Sequence, residues 1–366
     1  MNDKSSPLKR GWTTGCCATA AARAALEALL TGEFPDPVTV RLPKGQTPAF
    51  ALAVQERGDN WAMAGVIKDA GDDPDATHGV LVRATVRPLK AGSGLVFRAG
   101  AGVGTVTRPG LPIPPGEPAI NPVPRRMILE TLREVAQSAC PRYQLDLEVT
   151  IAIDDGERIA ADTLNARLGI LGGLSVLGTT GIVIPFSCSA WIHSIHRGID
   201  VARARGLPHI AGSTGSTSES GVQSYFKLEE SALIEMGDFV GGMLKYLRAH
   251  PVPRVTVAGG IAKMAKLGQG MLDVHSKRGA VDLERLAGLA QGAGGSASLF
   301  ERITKANSGL EAFELASAEG IALGDLIAEG ARVHAAHVVR QSGIELDVLV
   351  FDRGGRMVGH CDPQRC

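Results

Sequence analysis

The sequence predicts an α+β N-terminal domain followed by an α/β domain with a mostly parallel sheet. Three observations carry this expectation. Residues 1–160 hold short β-branched runs set between one alanine-rich helix and one proline-led helix. From residue 161 the rhythm changes to strand, glycine loop and helix, in repetition, which builds a parallel sheet with helices on both faces. A chain of 366 residues with 44% hydrophobic content also exceeds one ordinary core, so two domains are expected: 1–160 and 161–351, with 352–366 as a C-terminal tail.

The first domain opens with Gly11-Trp12-Thr13-Thr14-Gly15 and an alanine-rich run. Ala18, Ala22, Ala25, Leu26 and Leu29 recur at helical spacing, Thr13 or Thr14 can cap the start, and Gly32 can end the helix. The Thr-Thr-Gly start reads either as an ordinary cap or as hydroxyls and N–H groups offered to an anion. Residues 38–42, 49–54, 62–67 and 80–86 read as strands, and 95–98 as a fifth. The strand 62–67 runs straight into Lys68, Asp69, Asp72, Asp73 and Asp75. Four aspartates are more than a turn needs. The stretch is therefore either a solvated acidic turn or a loop whose carboxylates face cations, backbone N–H groups or a ligand.

The glycines of 100–110 resemble a dinucleotide loop only loosely, because prolines rather than a helix follow; a substrate-contacting loop stays open there. Pro124 suits the first turn of a helix with Ile128, Leu132 and Val135 on its apolar stripe. Asn121 and Arg125 meet at that helix start as a carboxylate grip. Residues 145–153 alternate as a half-buried strand.

In the second domain a strand at 174–177 leads to Gly178-Thr179-Thr180-Gly181, and a strand at 209–211 to Gly212 and Gly215. A strand at 255–258 leads to Gly259-Gly260 and a helix bearing Lys263 and Lys266; the last strand is 346–351, after a helix over 323–339. Ligands of such sheets lie beyond the carboxyl ends of the strands, where glycine-loop N–H groups favour anions. His275-Ser276 forms a further polar knot, read as a proton-handling site or as plain surface.

Composition excludes several classes. Lys+Arg and Asp+Glu are both 38, which argues against bulk nucleic-acid binding. No apolar run reaches the ~18 residues of a membrane span, and the first residues lack a signal-peptide core, so the chain is expected in the cytoplasm. The six cysteines form no Cys-x-x-Cys sets; they read as free thiols, and no protein-bound metal is expected. The sequence leaves a homo-oligomer open.

Taken together, Gly11 to Cys16, Val66 to Thr77, Gly102 through Leu111, Gly116 to Arg125, Gly178 to Val183 and His275-Ser276 resemble the cobalt-precorrin-5B (C-1)-methyltransferases, the CbiD family, in preserved order over nearly the whole chain. The resemblance implies a Rossmann-like second part. It also implies transfer of a methyl group from S-adenosylmethionine to ring carbon C-1 of a cobalt-bound tetrapyrrole, giving cobalt-precorrin-6A and S-adenosylhomocysteine in anaerobic cobalamin biosynthesis. On that reading Asp69, Asp72 and His275 are the candidates for holding the sulfonium and managing a macrocycle proton. Gly178, Thr179, Thr180, Gly181, Gly212, Gly215, Gly259 and Gly260 are assigned to the donor, although these loops can equally meet substrate carboxylates. Thr13, Thr14, Lys68, Asp73, Asn121, Arg125, Lys263 and Ser276 are assigned to the macrocycle, with Arg278 a further cation. Gly181→Val is expected to weaken ligand binding more than folding. Two rivals stand beside this: a Mg²⁺-dependent phosphotransferase using the aspartate cluster, and a corrinoid carrier without catalysis.

Overall fold

A computed structural model describes residues 7–363 of the chain. The protein is a mixed α/β chain with two compact units, Met1–Ser187 and Cys188–Cys366.

The first unit is built on helix α1 (Thr14–Thr31), strands β1 (Val54–Gly58), β2 (Trp61–Ile67), β3 (Leu81–Pro88) and β4 (Leu95–Ala99), helix α2 (Pro122–Ala139) and strand β5 (Leu147–Ile153). The sheet order is β1-β2-β3-β5-β4, antiparallel throughout except for the parallel β4/β5 pair. Alternation decides which face is covered. Val82, Ala84 and Val86 of β3 and Leu147, Val149, Ile151 and Ile153 of β5 share a core with α1 and α2. Almost every side chain from Cys16 to Ala25 is buried, and nearly all are Ala, Cys or Thr. Such small residues let the helix backbone approach the sheet closely, and dispersion at short range takes the place of bulky side chains. Thr13 caps the start by accepting from the Cys16 N–H, and Gly32 at φ 92° closes the end.

Segment 161–187 lies in this first unit, where the sequence placed the start of the second domain. Ile170–Leu171 pairs with Thr105–Val106, and Ile182–Val183 pairs antiparallel with Gly11–Trp12. The expected strand 174–177 makes only single bridges, Leu174 to Val103 and Val176 to Ile120. Leu174 and Val176 fill the first core with Ser175 between them, so their alternation is real but belongs to the first unit. The expected strands 38–42 and 49–54 shrink to a ladder of Val38–Thr39 with Ala49–Phe50.

The second unit contains α3 (Cys188–Ala204), β6 (His209–Ser213), α4 (Ser216–Phe226), β7 (Leu233–Glu235), α5 (Val240–Ala249), β8 (Arg254–Gly260) and α6 (Ile261–Gly268). It continues with α7 (Leu283–Gly292), α8 (Ala297–Thr304), α9 (Gly309–Ala318), α10 (Leu323–Val338), β9 (Glu345–Phe351) and β10 (Met357–Cys361). Strand order is β7-β6-β8-β9-β10, with parallel pairs up to β9 and an antiparallel β10. Val255, Val257, Val348 and Val350 pack against α3, α5, α6 and α10 on one face. Ala211, Ala258, Leu349 and Phe351 meet Val222 and Phe226 of α4 on the other.

Two expectations change here. Residues 357–361, read as tail, form a sheet strand whose Gly359 and Cys361 are buried. Cys361 is disulfide-bonded, which corrects the reading of six free thiols; Cys16, Cys17, Cys140 and Cys188 are free, and Cys366 lies outside the described residues. Among the described residues no helix is long and apolar enough to cross a membrane.

Candidate active site

In the first unit, three stretches far apart in sequence converge at the start of α1. The Trp12 N–H donates to the Asp69 carbonyl at 2.7 Å, the Thr13 N–H to the Gly181 carbonyl at 3.0 Å, and the Gly15 N–H to the Leu177 carbonyl at 2.8 Å. The Thr14 hydroxyl accepts from the Leu177 N–H at 2.9 Å. Strand residues 11–12 therefore sit between the acidic loop and the Gly178–Gly181 loop. Contact is close enough to require glycine: a Cβ on Gly11 would lie 2.0 Å from the Ala70 carbonyl carbon, and one on Gly178 would lie 2.2 Å from Thr13 Oγ1.

This geometry corrects the anion-site reading of Thr13, Thr14 and the α1 start. The Gly15 and Cys16 N–H groups and the Thr14 hydroxyl are already taken by protein acceptors and donors, and Thr14 is buried. It also moves Gly178, Thr179, Thr180 and Gly181 off the parallel sheet. Gly181, at φ 81°, would drive a Cβ to 2.7 Å from Leu42 Cδ2, so Gly181→Val disturbs folding as well as any ligand. Thr180 Oγ1 accepts from the Ile182 N–H, and Thr179 is exposed.

Each aspartate of the acidic loop has a partner within the first unit, and Asp69 and Asp72 share Lys9. Asp69 accepts from Lys9 Nζ at 2.6 Å and from the Gly71 N–H at 2.8 Å, and the lysine hydrogen bond holds its carboxyl below the usual range. Such a group stays an anion and is a weak proton acceptor. Asp72 accepts from the Lys9 backbone N–H at 2.6 Å and is exposed. Asp73 accepts from the Phe186 N–H at 2.8 Å. Asp75 takes Lys68 Nζ at 2.6 Å and both the N–H and hydroxyl of Thr77. Burial pushes the Asp75 carboxyl up, but those hydrogen bonds and the lysine charge outweigh it and hold it low. Lys68 was expected to grip the macrocycle; its side chain is 1% exposed and turned into the core, so it braces the loop instead. Among the described residues no group of three or more His, Cys, Asp or Glu is arranged to hold a metal ion.

The α2 start differs from expectation too. Arg125 donates to the carbonyls of Ile120 and Pro118 and to Glu117, and its guanidinium stands over Phe97. Asn121 is the N-cap by backbone, without a side-chain cap hydrogen bond. The pair organises the 117–121 turn more than it offers a grip. A shallow cleft of about 510 Å³ opens behind the acidic loop. Asp154, Asp155 and Asp162 line it against one Arg158, a charge balance that repels a polycarboxylate.

In the second unit the carboxyl ends of β6, β7 and β8 form a rim. Its glycines divide by space. Gly212 and Gly259 are packed, with Cβ positions 2.3 Å from Met243 Sδ and 2.6 Å from Met264 Cε. Gly215, the N-cap of α4, has nothing within 4 Å of its Cβ position, and Gly260, the N-cap of α6, meets only the Phe351 carbonyl at 4.0 Å. Lys263 Nζ lies 3.0 Å from the Thr214 carbonyl and 3.0 Å from Asp238 Oδ1, tying the rim together across two strand ends. That Asp238 oxygen is itself buried at the rim. Asp238 was missed in the sequence because β7 is only three residues long; a strand read there would have put Asp238 on the same rim.

His275 and Ser276 stand at an exposed turn beside this rim. The Val274 N–H donates to the Asp238 carbonyl, and buried Lys266 donates to the carbonyls of Val274 and His275. His275 Nδ1 accepts from the Lys277 N–H at 3.1 Å, which assigns the proton of the neutral ring to Nε2 and makes that nitrogen a donor. Arg278 pairs with Asp273.

Comparison with known proteins gives a consistent result. The family model described as CbiD matches residues 1–185, and that described as CbiD, C-terminal domain matches residues 273–362. A curated protein of Agrobacterium fabrum is 62% identical over 98% of this chain and 94% of its own length. One of Methylorubrum extorquens is 57% identical over 100% of both. Both bear the name cobalt-precorrin-5B C(1)-methyltransferase. The crystal structure of a cobalamin biosynthesis protein (cbiD) from Archaeoglobus fulgidus is 26% identical, covers 86% of this chain and 85% of its own, and aligns with a TM-score of 0.40.

Proposed function

We infer that this chain, which belongs to the CbiD family, is a cobalt-precorrin-5B C(1)-methyltransferase of cobalamin biosynthesis. One observation carries the reading: near-full-length identity of 62% and 57% to curated proteins of that name. The donor is S-adenosylmethionine, which supplies a methyl group activated by its sulfonium charge. The S–CH₃ bond breaks with its electron pair left on sulfur, a C–CH₃ bond forms at ring carbon C-1, and S-adenosylhomocysteine leaves.

The second unit, read as Rossmann-like, holds the donor at the rim of its parallel strands. Gly215 and Gly260 support this, since both leave open the space a Cβ would fill, at two adjacent helix starts. Asp238, held at 3.0 Å by Lys263, places a fixed anion at this rim. His275 Nε2 and Ser276 offer hydrogen-bond donors to an anionic group at the neighbouring turn. The protein thus supplies orientation and preset charge, and an in-line displacement gains most from those two.

The test is incubation of the full chain with cobalt-precorrin-5B and S-adenosylmethionine, read by mass spectrometry for one added methyl group and for S-adenosylhomocysteine. Tight binding of the tetrapyrrole without methyl gain would replace this reading with that of a carrier. Methyl-free turnover of a nucleoside triphosphate would replace it with that of a phosphotransferase.

A further inference from the structure

We propose that Phe186 is a stacking platform for one flat face of the tetrapyrrole and that Asp73 is the positioning residue that holds it there; the identity of the ligand rests on the function proposed above. Phe186 has φ 55°, a left-handed conformation that costs an L-residue with a bulky side chain. Its side chain is 67% exposed, and it is the one phenylalanine among the exposed large hydrophobic residues described. Folding alone favours glycine or a polar residue at such a position, because strain and an apolar ring in water both act against phenylalanine. The conformation is held from outside: the Phe186 N–H donates to Asp73 Oδ1 at 2.8 Å, across 113 positions of sequence.

The ring does not stand alone. Ile184 is 53% and Leu177 49% exposed on the same segment. The backbone beneath them is fixed at Leu177 by Thr14 and Gly15, at Ile182–Val183 by pairing with Gly11–Trp12, and at Phe186 by Asp73. The backbone that carries Phe186 is thus braced at several points, and rigidity lowers the ordering cost of binding. The conjugated stretches of the macrocycle present apolar area between its acidic side chains, and an aromatic ring can stack on such area. Only the carboxylate of Asp73 reaches the 186 position from the acidic loop among the described hydrogen bonds. Asp73 therefore acts through Phe186 and does not touch the substrate's own carboxylates, which would repel it.

The experiment uses full-length Phe186→Ala, Phe186→Gly, Phe186→Tyr, Asp73→Ala and Asp73→Asn. Loss of the ring should raise KM for cobalt-precorrin-5B roughly ten-fold in the Ala and Gly variants, with KM for S-adenosylmethionine unchanged. Tyrosine should restore KM to within about two-fold, since it keeps the face. Phe186→Gly should keep its Tm, because glycine accepts the backbone angle, which separates loss of binding from loss of fold. Asp73→Ala should raise KM as Phe186→Ala does, and Asp73→Asn should rescue it by keeping the acceptor oxygen. An unchanged KM in Phe186→Gly, or a tyrosine variant as weak as alanine, would overturn the proposal. If the wild-type chain transfers no methyl group, the functional reading falls. The platform is then judged on absorbance titration of cobalt-precorrin-5B into the same variants, with equal affinity across the set counting against it.

Discussion

Asp75→Ala should be the most damaging single change in the acidic loop, and the reason is the asymmetry of burial in its ion pair. Lys68 is 1% exposed and Asp75 25%, with Nζ and Oδ2 2.6 Å apart. Removing the carboxylate strands an ammonium in the core. Breaking a buried pair from that side costs about 3–5 kcal/mol, and the partial exposure of Asp75 places this case near 3 kcal/mol. At roughly 2–4 °C per kcal/mol for a unit of this size, Tm should fall by about 6–12 °C. Lys68→Met removes the buried charge and keeps its apolar stem. Asp75 then retains Thr77 N–H at 2.7 Å and Thr77 Oγ1 at 2.5 Å, and water reaches the rest. That variant should lose about 1 kcal/mol. The double variant should be more stable than Asp75→Ala alone, because the unpaired charge is gone. Amide hydrogen exchange in β2 and β3 of the full-length chain reports the first unit directly. Equal losses in the two single variants, or a loss under about 1 kcal/mol in Asp75→Ala, would refute the reasoning. The pH sign follows from the same pair. A carboxyl held low in the fold contributes stability that is complete above the unfolded value of about 3.9 and is lost as pH falls through the folded one. Wild type should show that acid step, and Asp75→Ala should lack it.

Three further outcomes are expected. Gly11→Ala should cost about 3 kcal/mol or more, since its Cβ would overlap the Ala70 backbone and part strand 11–12 from the acidic loop; a melt within about 2 °C of wild type would contradict the close contact. Gly215→Val should leave Tm nearly unchanged, as nothing lies within 4 Å of its Cβ position, but should raise KM for S-adenosylmethionine; unaltered donor affinity would remove Gly215 from the site. His209, half-buried and beside the Arg254 charge, has its pKa pushed down to about 4, first by desolvation and then by that charge. The unfolded chain binds that proton near pH 6.5, so stability should be full above about 6.5 and fall as pH drops toward 4. The loss should be about 1–2 kcal/mol once partial exposure is allowed for, and His209→Gln should flatten the profile.

Periodicity located α2, β3 and β5, which bury one face and expose the other; α1 and the long strands of the second sheet are buried on nearly all sides, and apolar runs closed by glycine located them instead. What it did not convey was the partner of each side chain. Reading 62–67 as a strand does not say which way Lys68 points. The structure shows Ala62, Ala64 and Val66 in the core and Ile67 57% exposed. Met63 and Gly65 are buried as well, so the middle of the strand is covered on both faces, and the inward turn of Lys68 is set by its tertiary pairing with Asp75 rather than by a period in the sequence. Asp238 was hidden by the opposite problem: three residues of β7 are too few to show a period.

The Gly178–Gly181 loop marks a limit of a different kind. Its composition is that of a phosphate or donor loop, and its position after an alternating Leu-Ser-Val run imitates a strand end. Yet its carbonyls and N–H groups close on Thr13, Thr14 and Gly15, 163 positions away at the Thr14–Leu177 contact. Glycine there serves close approach between two protein segments, and the same residue type at Gly215 leaves open space instead. Only the neighbour of the missing Cβ distinguishes the two cases, and that neighbour is set by tertiary contact. Empty space beside a glycine also marks plain surface turns such as Gly45 and Gly206, so at Gly215 and Gly260 it supports the proposed donor site only together with their place at the strand-end rim, a place that Gly178 and Gly181 do not share.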